Sequence, residues 1–529
     1  MTDRPDSKTV SSTTGICPVA LSALNFSMTR RFRTNRRSDM PPSHGAGATR
    51  PDHNNVNHED YNMGSTFHGV IAFALIAALL VVGSLLRSRL PWLRASLIPG
   101  SIVAGIIGFV GLSSGLIPGY GPSDFTALAF HFFTLSFMSL CLTGSPKPAA
   151  GEQRQGIVGG GLWLTLIWTA SLGAQAVIGY GLMAGYDLIT GSDLSPLLGA
   201  IVTHGFTQGP GQALTYGTIW ENDYGIANAA QVGVIFASLG FVAAFVVGVP
   251  AARHFLKRGL NTNRNSTLDD DFVRGFHTVE TQPSAGRQVS HSGTVDSLAW
   301  HLGLLGAAYV ITYVWLTAMQ PLVAGNQVLS VFFSYNLFFI HGLTVCVLMR
   351  MAIDRFGWAD KVDDDTLKRI TSGSVDFMVV ATLMSIQIAV LSALLVPILL
   401  IAVAVTLVTF LGAMAIGKLS GRLGPERAVT AFGCCCGSTG TGLLLLRMLD
   451  ADFSTSVPKE LAFFNIAIIV VNIPTLFFVA PIAPSLGAGS YLAIFGGYVI
   501  LMLVCIPLLL KWQRSRGNRI ASIQEPNPS

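Results

Sequence analysis

Two glycine-broken stretches hold the residues best suited to chemistry. The first reads Ile201-Val-Thr-His-Gly-Phe-Thr-Gln-Gly-Pro-Gly-Gln-Ala213, and the second Gly433-Cys-Cys-Cys-Gly-Ser-Thr-Gly-Thr-Gly-Leu443. Gly209 and Gly211 permit backbone conformations that a helix forbids, and Pro210 offers no N–H, so amides and carbonyls are released from helical pairing. Thr203, His204, Thr207, Gln208 and Gln212 supply side-chain donors and acceptors at the same point of the chain. In the second stretch Gly437, Gly440 and Gly442 are interleaved with Ser438, Thr439 and Thr441. Hydroxyls and unwound carbonyls are hard oxygen ligands of the kind Na⁺ prefers, which makes Ser438, Thr439 and Thr441 the candidate cation ligands, and free amides can hold a carboxylate. A nucleotide loop is excluded because no strand precedes the glycines and no lysine follows in Walker spacing. Arg447 closes the stretch after four leucines. At membrane depth it would pair with an anionic substrate; at the mouth it would snorkel or pair with Asp450 or Asp452.

Lipid must be the solvent for the elements that carry these stretches. The 529 residues are 51% hydrophobic and only 12% charged, with a mean hydropathy of +0.55, whereas a soluble chain carries roughly 25% charged residues. Apolar runs long enough to cross a bilayer predict spans near 67–86, 99–117, 125–143, 157–185, 227–250, 298–319, 328–349, 374–395, 397–417 and 460–482. An additional helix is expected near 490–510, followed by a tail at 511–529. Residues 1–62 are polar and basic and read as a disordered tail. The linker 251–297 divides the chain into a first repeat, 63–250, and a second, 298–482. The seven cysteines lack metal-ligand spacing and read as packing residues. No Ser/His/Asp set, metal cluster or carboxylate pair converges within the spans, so neither an enzyme nor a resident cofactor is expected.

Charge fixes the expected topology. Treating 196–217 and 428–448 as re-entrant hairpins rather than spans places Lys and Arg at 87–94, 147–154, 251–287, 350–369, 418–427 and 511–519 on one side. The opposite loops 118–124, 186–195, 220–226, 320–327 and 483–489 contain neither residue. The positive-inside rule then puts the N-terminus outside and the linker and C-terminus in the cytoplasm, with the plasma membrane as the expected location. Each half has five spans, so the second half starts on the opposite side and the repeat is inverted. Ser136-Phe-Met-Ser-Leu-Cys-Leu142 matches Thr382-Leu-Met-Ser-Ile-Gln-Ile388, and Gly209-Pro-Gly-Gln-Ala-Leu214 falls against Gly440-Thr-Gly-Leu-Leu-Leu445. The expected fold is therefore all-α and polytopic: two inverted five-helix repeats, each with a re-entrant hairpin, plus an extra C-terminal helix. That arrangement points to a secondary transporter with its site at the repeat interface. His131, Gln387, Asn465 and Asn472 are intramembrane polar residues on nearby spans, expected to make interhelical hydrogen bonds, and Asp376 is expected at the start of the eighth span.

From Phe67 to Ile482 the chain resembles the sodium/glutamate symporter family. The likeness is carried by Gly209 to Lys257, with Tyr224-Gly-Ile-Ala-Asn-Ala-Ala-Gln-Val232, Ala237-Ser-Leu-Gly240 and Gly248-Val-Pro-Ala-Ala-Arg253, by Ile98-Pro-Gly-Ser-Ile-Val-Ala-Gly105, and by Gly433 to Met448. It departs from the family at both hairpins, Gln208 to Ala213 and Ser438 to Leu443, and at Arg447. The resemblance implies electrogenic symport of Na⁺ and glutamate or a related anionic amino acid, with Na⁺ as the coupling ion. A sodium- or proton-coupled carrier of another carboxylate and an ion channel are the alternatives. The expected partners are the amino acid, Na⁺ and the lipid bilayer, with a homodimer as a candidate assembly and no nucleic acid. Valine at Gly209 or at Gly440 is expected to abolish transport.

Overall fold

The structure is a computed structural model and describes residues 63–144, 154–263, 270–283, 286–451 and 453–524. The tail 1–62 with Cys17, most of the basic loop at 147–154, and Asp452 lie outside the described residues.

Regular structure among the described residues is helical throughout. We number the principal helices α1 (Met63–Arg89), α2 (Gly100–Ser113), α3 (Pro122–Leu142), α4 (Arg154–Thr190), α5 (Val202–Phe206), α6 (Pro210–Tyr224) and α7 (Ala229–Lys257). After the linker come α8 (Ser297–Val323), α9 (Phe338–Arg355), α10 (Asp364–Met384), α11 (Leu395–Gly417), α12 (Gly424–Cys436), α13 (Thr439–Leu449), α14 (Val457–Ile473) and α15 (Gly487–Gln524). Nine helices among the described residues are long and apolar enough to cross a membrane, which makes this an integral membrane protein with multiple spans. The second and eighth expected spans fall outside that set. At 14 residues α2 is about 21 Å long at 1.5 Å per residue, short of a hydrocarbon core of about 30 Å.

The eighth span is displaced. Apolarity predicts 374–395, but α10 begins at Asp364 and stops at Met384, with a short helix over Ile388–Ala393 beyond the break. Its start is set by a cap rather than by hydropathy. The Asp363 carboxylate accepts from the Thr366 amide at 2.9 Å, the Thr366 hydroxyl at 2.7 Å and the Arg287 amide at 3.1 Å. Asp376, expected at a helix start, therefore stands well inside α10. At the far end the helix closes at Ser385, whose hydroxyl donates back to the Thr382 carbonyl, and the freed Gln387 amide donates to Gln231 Oε1 at 3.2 Å. The seventh span shifts similarly to α9, and the tenth continues as a π-helix over Pro474–Val479, because Pro474 has no N–H for the α ladder. The last helix runs on to Gln524 instead of ending near 510.

Partial desolvation pushes the Asp363 carboxyl up, but the hydrogen bonds from Thr366 and Arg287 outweigh it and hold the carboxyl below the usual carboxylate range. A depressed folded-state pKa stabilises above the unfolded value and loses that contribution as pH falls through the folded one. Asp363→Ala should thus lower the thermal midpoint by about 2–4 °C at neutral pH, for about 1 kcal/mol of cap energy. The gap to the parent should close below about pH 4, as read by differential scanning fluorimetry in detergent.

The helices sort into two packed groups. In the first, α1 packs on α2, α8 on α9, α2 and α1 on α10, α9 on α3, and α3 lies along α10. Its apolar side chains form small clusters of their own, one around Ile76, Phe125 and Met384 and another around Met138, Leu305 and Leu367. Ser139 Oγ donates to the Leu367 carbonyl at 2.8 Å, and Arg350 joins the ends of α3 and α10 through the Leu142 carbonyl and the Asp364 carboxylate. The second group consists of α4 with α14, α15 and α11, α7 with α5, α6, α12 and α13, and α11 with α12. A single large core built on Trp163, Phe206, Phe236, Phe432, Phe464 and Phe495 holds it together. The boundary between the groups is crossed by α6 against α3 and by α7 against α10.

Candidate functional site

Both glycine-broken stretches fold as helix, break, helix. In the first, Leu197–Ala200 and α5 form one limb, Thr207 to Gly209 the break, and α6 the other limb. Gly209 adopts φ 93° and ψ 179°, and the Pro210 ring follows at the first helical position, where its missing N–H costs nothing. In the second, α12 and α13 flank the break at Gly437–Ser438. Ser438 caps α13, accepting from the Thr441 amide at 3.3 Å. The two breaks meet: a Cβ on Gly209 would stand 3.3 Å from the Gly437 carbonyl oxygen, and the Thr207 hydroxyl lies 3.3 Å from the Cys435 carbonyl. The N-termini of α6 and α13 both open at this junction, each bringing amides without intrahelical partners and the positive end of a helix dipole.

The expected residues divide by what their side chains already touch. Thr203 Oγ1 donates to the Leu172 carbonyl at 2.7 Å and fastens the first limb to α4. His204 is fully buried against the Tyr216 and Trp220 rings, with Nδ1 2.8 Å from Gln208 Oε1. His204 Nε2, Gln208 Nε2 and Gln212 Oε1 are buried with no hydrogen-bond partner among the described residues. Three such atoms on one glycine-broken stretch call for a ligand or water, since a buried polar group without a partner costs about 1–3 kcal/mol. Gly211 faces the Phe133 ring of α3, so the first stretch rests on the other group of helices with no room for a side chain. On the second stretch Thr439 Oγ1 donates to Asn465 Oδ1 at 2.7 Å, and the Ser438 and Thr441 hydroxyls lie 3.3 Å apart. Their oxygens keep lone pairs for a cation. Gly442 packs α13 onto Cys434 of α12, whereas Gly440 has only Ser438 Oγ near it, at 3.5 Å. Arg447 is not brought to the break. It stands eight residues along α13, about 12 Å away at 1.5 Å per residue, in a separate cavity of 260 Å³ with Arg87, Asp271 and His277, its guanidinium 5.7 Å from the Phe453 ring.

Among the other intramembrane polar residues, Asn465 reaches the site through Thr439 and Asn472 Nδ2 donates to Thr169 Oγ1 at 3.0 Å. His131 instead binds the Tyr309 hydroxyl at 2.5 Å, and Gln387 is exposed at the end of α10.

A family model described as Sodium/glutamate symporter matches residues 66–444, most of the chain, including both breaks. The chain belongs to the sodium/glutamate symporter family. Among curated proteins it is similar to the sodium/glutamate symporter of Haemophilus influenzae, at 24% identity over 245 residues. That alignment covers 45% of this chain and 56% of the relative, so the chain matches a little over half the length of that relative. The α14 and α15 helices lie beyond the residues matched by the symporter family model.

Within this symporter-family chain, a residue outside both glycine-broken stretches ties them together. Gln175, buried in α4, accepts from Thr207 Oγ1 at 2.7 Å. Its amide nitrogen lies 3.0 Å from the Cys435 carbonyl, 3.1 Å from Thr409 Oγ1 and 3.0 Å from Ser171 Oγ. One side chain thereby links α4, α11 and both breaks, while Trp168 Nε1 holds the Thr207 carbonyl from the same helix at 3.1 Å. A lone amide within an apolar span was the available signal. Gln175→Leu should lower the thermal midpoint, since it strands buried partners worth about 1–3 kcal/mol. It should also reduce uptake more than Thr203→Val, whose hydroxyl serves one carbonyl; fluorimetry and a transport assay on the same preparations check both.

Proposed function

We propose that this protein is a secondary active transporter that couples Na⁺ to the uptake of glutamate or a related anionic amino acid by alternating access. The observation that carries this reading is the meeting of two helix N-termini, α6 and α13, at broken backbone beside buried and unpartnered polar atoms. Such a junction offers amides to carboxylates and hydroxyl and carbonyl oxygens to a cation, which is how discontinuous helices bind ions and anionic substrates at membrane depth. In the proposed site Thr207, Gln208, Gly209, Gln212, Ser438, Thr439 and Thr441 contact substrate or ion, and Thr203, His204, Gly211, Gly437 and Gly442 position them.

Inverted repeats, 63–250 and 298–482, with re-entrant hairpins are part of the proposal. Supporting it, helix contacts come in pairs under exchange of the halves. The α1–α2 packing corresponds to α8–α9, α2–α10 to α9–α3, and α4–α14 to α11–α7. The sequence matches fit the same exchange: one pair lies at the C-terminal ends of α3 and α10, the other at the first turns of α6 and α13. Opposite entry of the hairpins is supported by their feet. Trp220 of the first binds the Ala480 carbonyl near the Lys- and Arg-free loop 483–489. The second is held by the linker, through Thr262 to the Arg422 carbonyl and Asn263 to Asp450. The orientation we propose sets the linker end in the cytoplasm, and alternating access as movement of the second helix group against the first.

Reconstitution tests the reading. Labelled glutamate should accumulate in proteoliposomes under an inward Na⁺ gradient and be displaced by aspartate. No accumulation, or displacement by citrate or malate but not by aspartate, would overturn the substrate assignment; flux without accumulation would indicate a channel.

A further inference from the structure

A cavity of 660 Å³ lies away from the proposed transport site. It opens at the basic end of the second helix group, between the last turns of α7 and α11 and the first turn of α12. His254, Lys418 and Arg422 line it together with Phe255, Phe410 and Met414, and no carboxylate among the described residues does. Lys418 and Arg422 are exposed and enter no ion pair among the described residues. The adjacent acid, Glu426, is buried and turned to the Thr262 amide, and the next cation, Arg427, is engaged by Glu460. Among the described residues the cavity thus presents positive charge with no acidic partner above an apolar floor.

A stripe of apolar side chains leads into it. Val403, Leu407 and Leu411 of α11 are 66%, 55% and 55% exposed, and Met414 and Lys418 continue the same face at spacings of three and four. Side chains exposed along a spanning helix are solvated by acyl chains, and a lysine at its end reaches for the headgroup layer. Basic recesses between spanning helices at the bilayer surface are complementary to anionic headgroups.

We propose that this cavity is a binding site for an anionic phospholipid, with its phosphate held by Lys418, Arg422 and His254 and an acyl chain along Met414, Leu411 and Leu407. The bound headgroup bridges the C-terminus of α7, where the linker begins, and the foot of the second hairpin.

Native mass spectrometry of the detergent-purified full chain tests it, with palmitoyl-oleoyl phosphatidylglycerol and the matching phosphatidylcholine as probes. Phosphatidylglycerol should bind more tightly than phosphatidylcholine. The Lys418→Gln/Arg422→Gln variant should lose about 25-fold in phosphatidylglycerol affinity, about fivefold per basic side chain near an anionic surface, with phosphatidylcholine binding unchanged. Arg355→Gln/Lys361→Gln, which removes equal charge at exposed positions of the first group, should leave binding near the parent's. Met414→Trp, which fills the cavity without changing charge, should also weaken phosphatidylglycerol binding. Monodisperse elution of each variant keeps misfolding apart from loss of the site. Equal affinity for the two lipids, an unchanged Lys418→Gln/Arg422→Gln variant, or an equal loss in the control would overturn the proposal. Full displacement of phosphatidylglycerol by millimolar inorganic phosphate would overturn the lipid as occupant and assign the site to a free anion.

Discussion

Gly209→Val is expected to cut Na⁺-driven uptake of labelled glutamate by about tenfold to a hundredfold while leaving the yield of monodisperse protein near the parent's. Gly209 sits at φ 93° and ψ 179°, a region essentially closed to residues with a side chain, and forcing one into it costs about 1–3 kcal/mol. The added Cβ would also press on the Gly437 carbonyl across the junction, moving one break away from the other. The damage is local because Gly209 ends a limb rather than filling a helix interior. Gly440 is a different case. Composition alone treats the two glycines as equivalents, yet Gly440 lies in the first turn of α13, outside the positive-φ set, with one neighbouring atom at 3.5 Å. Gly440→Ala should therefore retain most uptake. Parallel initial-rate measurements on the two variants, normalised to reconstituted protein, decide the matter: equal losses would mean that backbone conformation at Gly209 is not what the site requires.

The largest effect on stability should come from Glu460. Its carboxylate is fully buried and receives Arg427 Nε at 2.8 Å, Arg427 Nη2 at 2.7 Å and Ser456 Oγ at 2.8 Å. Arg427 lies 6.0 Å from the Trp163 ring centroid, and Gly160 is flush against the carboxylate. The pair joins α12, the first limb of the second glycine-broken stretch, to α14 and α4. Glu460→Ala leaves the guanidinium buried without its counter-charge, a loss of about 3–5 kcal/mol. We expect a thermal midpoint lowered by about 6 °C or more in detergent, at about 2 °C per kcal/mol, with a marked fall in monodisperse yield. Replacing both partners, Arg427→Met with Glu460→Leu, should recover much of it, because no buried charge then remains. A double variant as unstable as Glu460→Ala would show that packing at Gly160, rather than charge, sets the loss.

Several features were legible before any coordinate. Hydropathy located most spans because a helix in lipid must be apolar for about twenty residues. The glycine and proline clusters located both breaks, because Gly209 and Pro210 act through the backbone itself. Other features were beyond reach of a pattern. The start of α10 is determined by the Asp363 carboxylate and its hydrogen bonds, which override apolarity as the marker of a helix end. Arg427 reads as one more loop cation, and only packing sinks it against Glu460, whose position is more than thirty residues away. Arg447, close to the break in sequence, is carried away from it by the rise of α13 into a cavity with Arg87.

By itself, then, the sequence determined what each segment had to do with its own backbone: where the chain enters lipid, and where glycine and proline release amides and carbonyls inside it. Tertiary structure decided which released groups face one another, through Gln175 drawing Thr207 and the Cys435 carbonyl together across segments far apart in the chain. The physical reason is range. Apolarity and φ/ψ preference belong to single residues and their neighbours, whereas a hydrogen bond or a buried ion pair is satisfied by whichever partner the packing delivers.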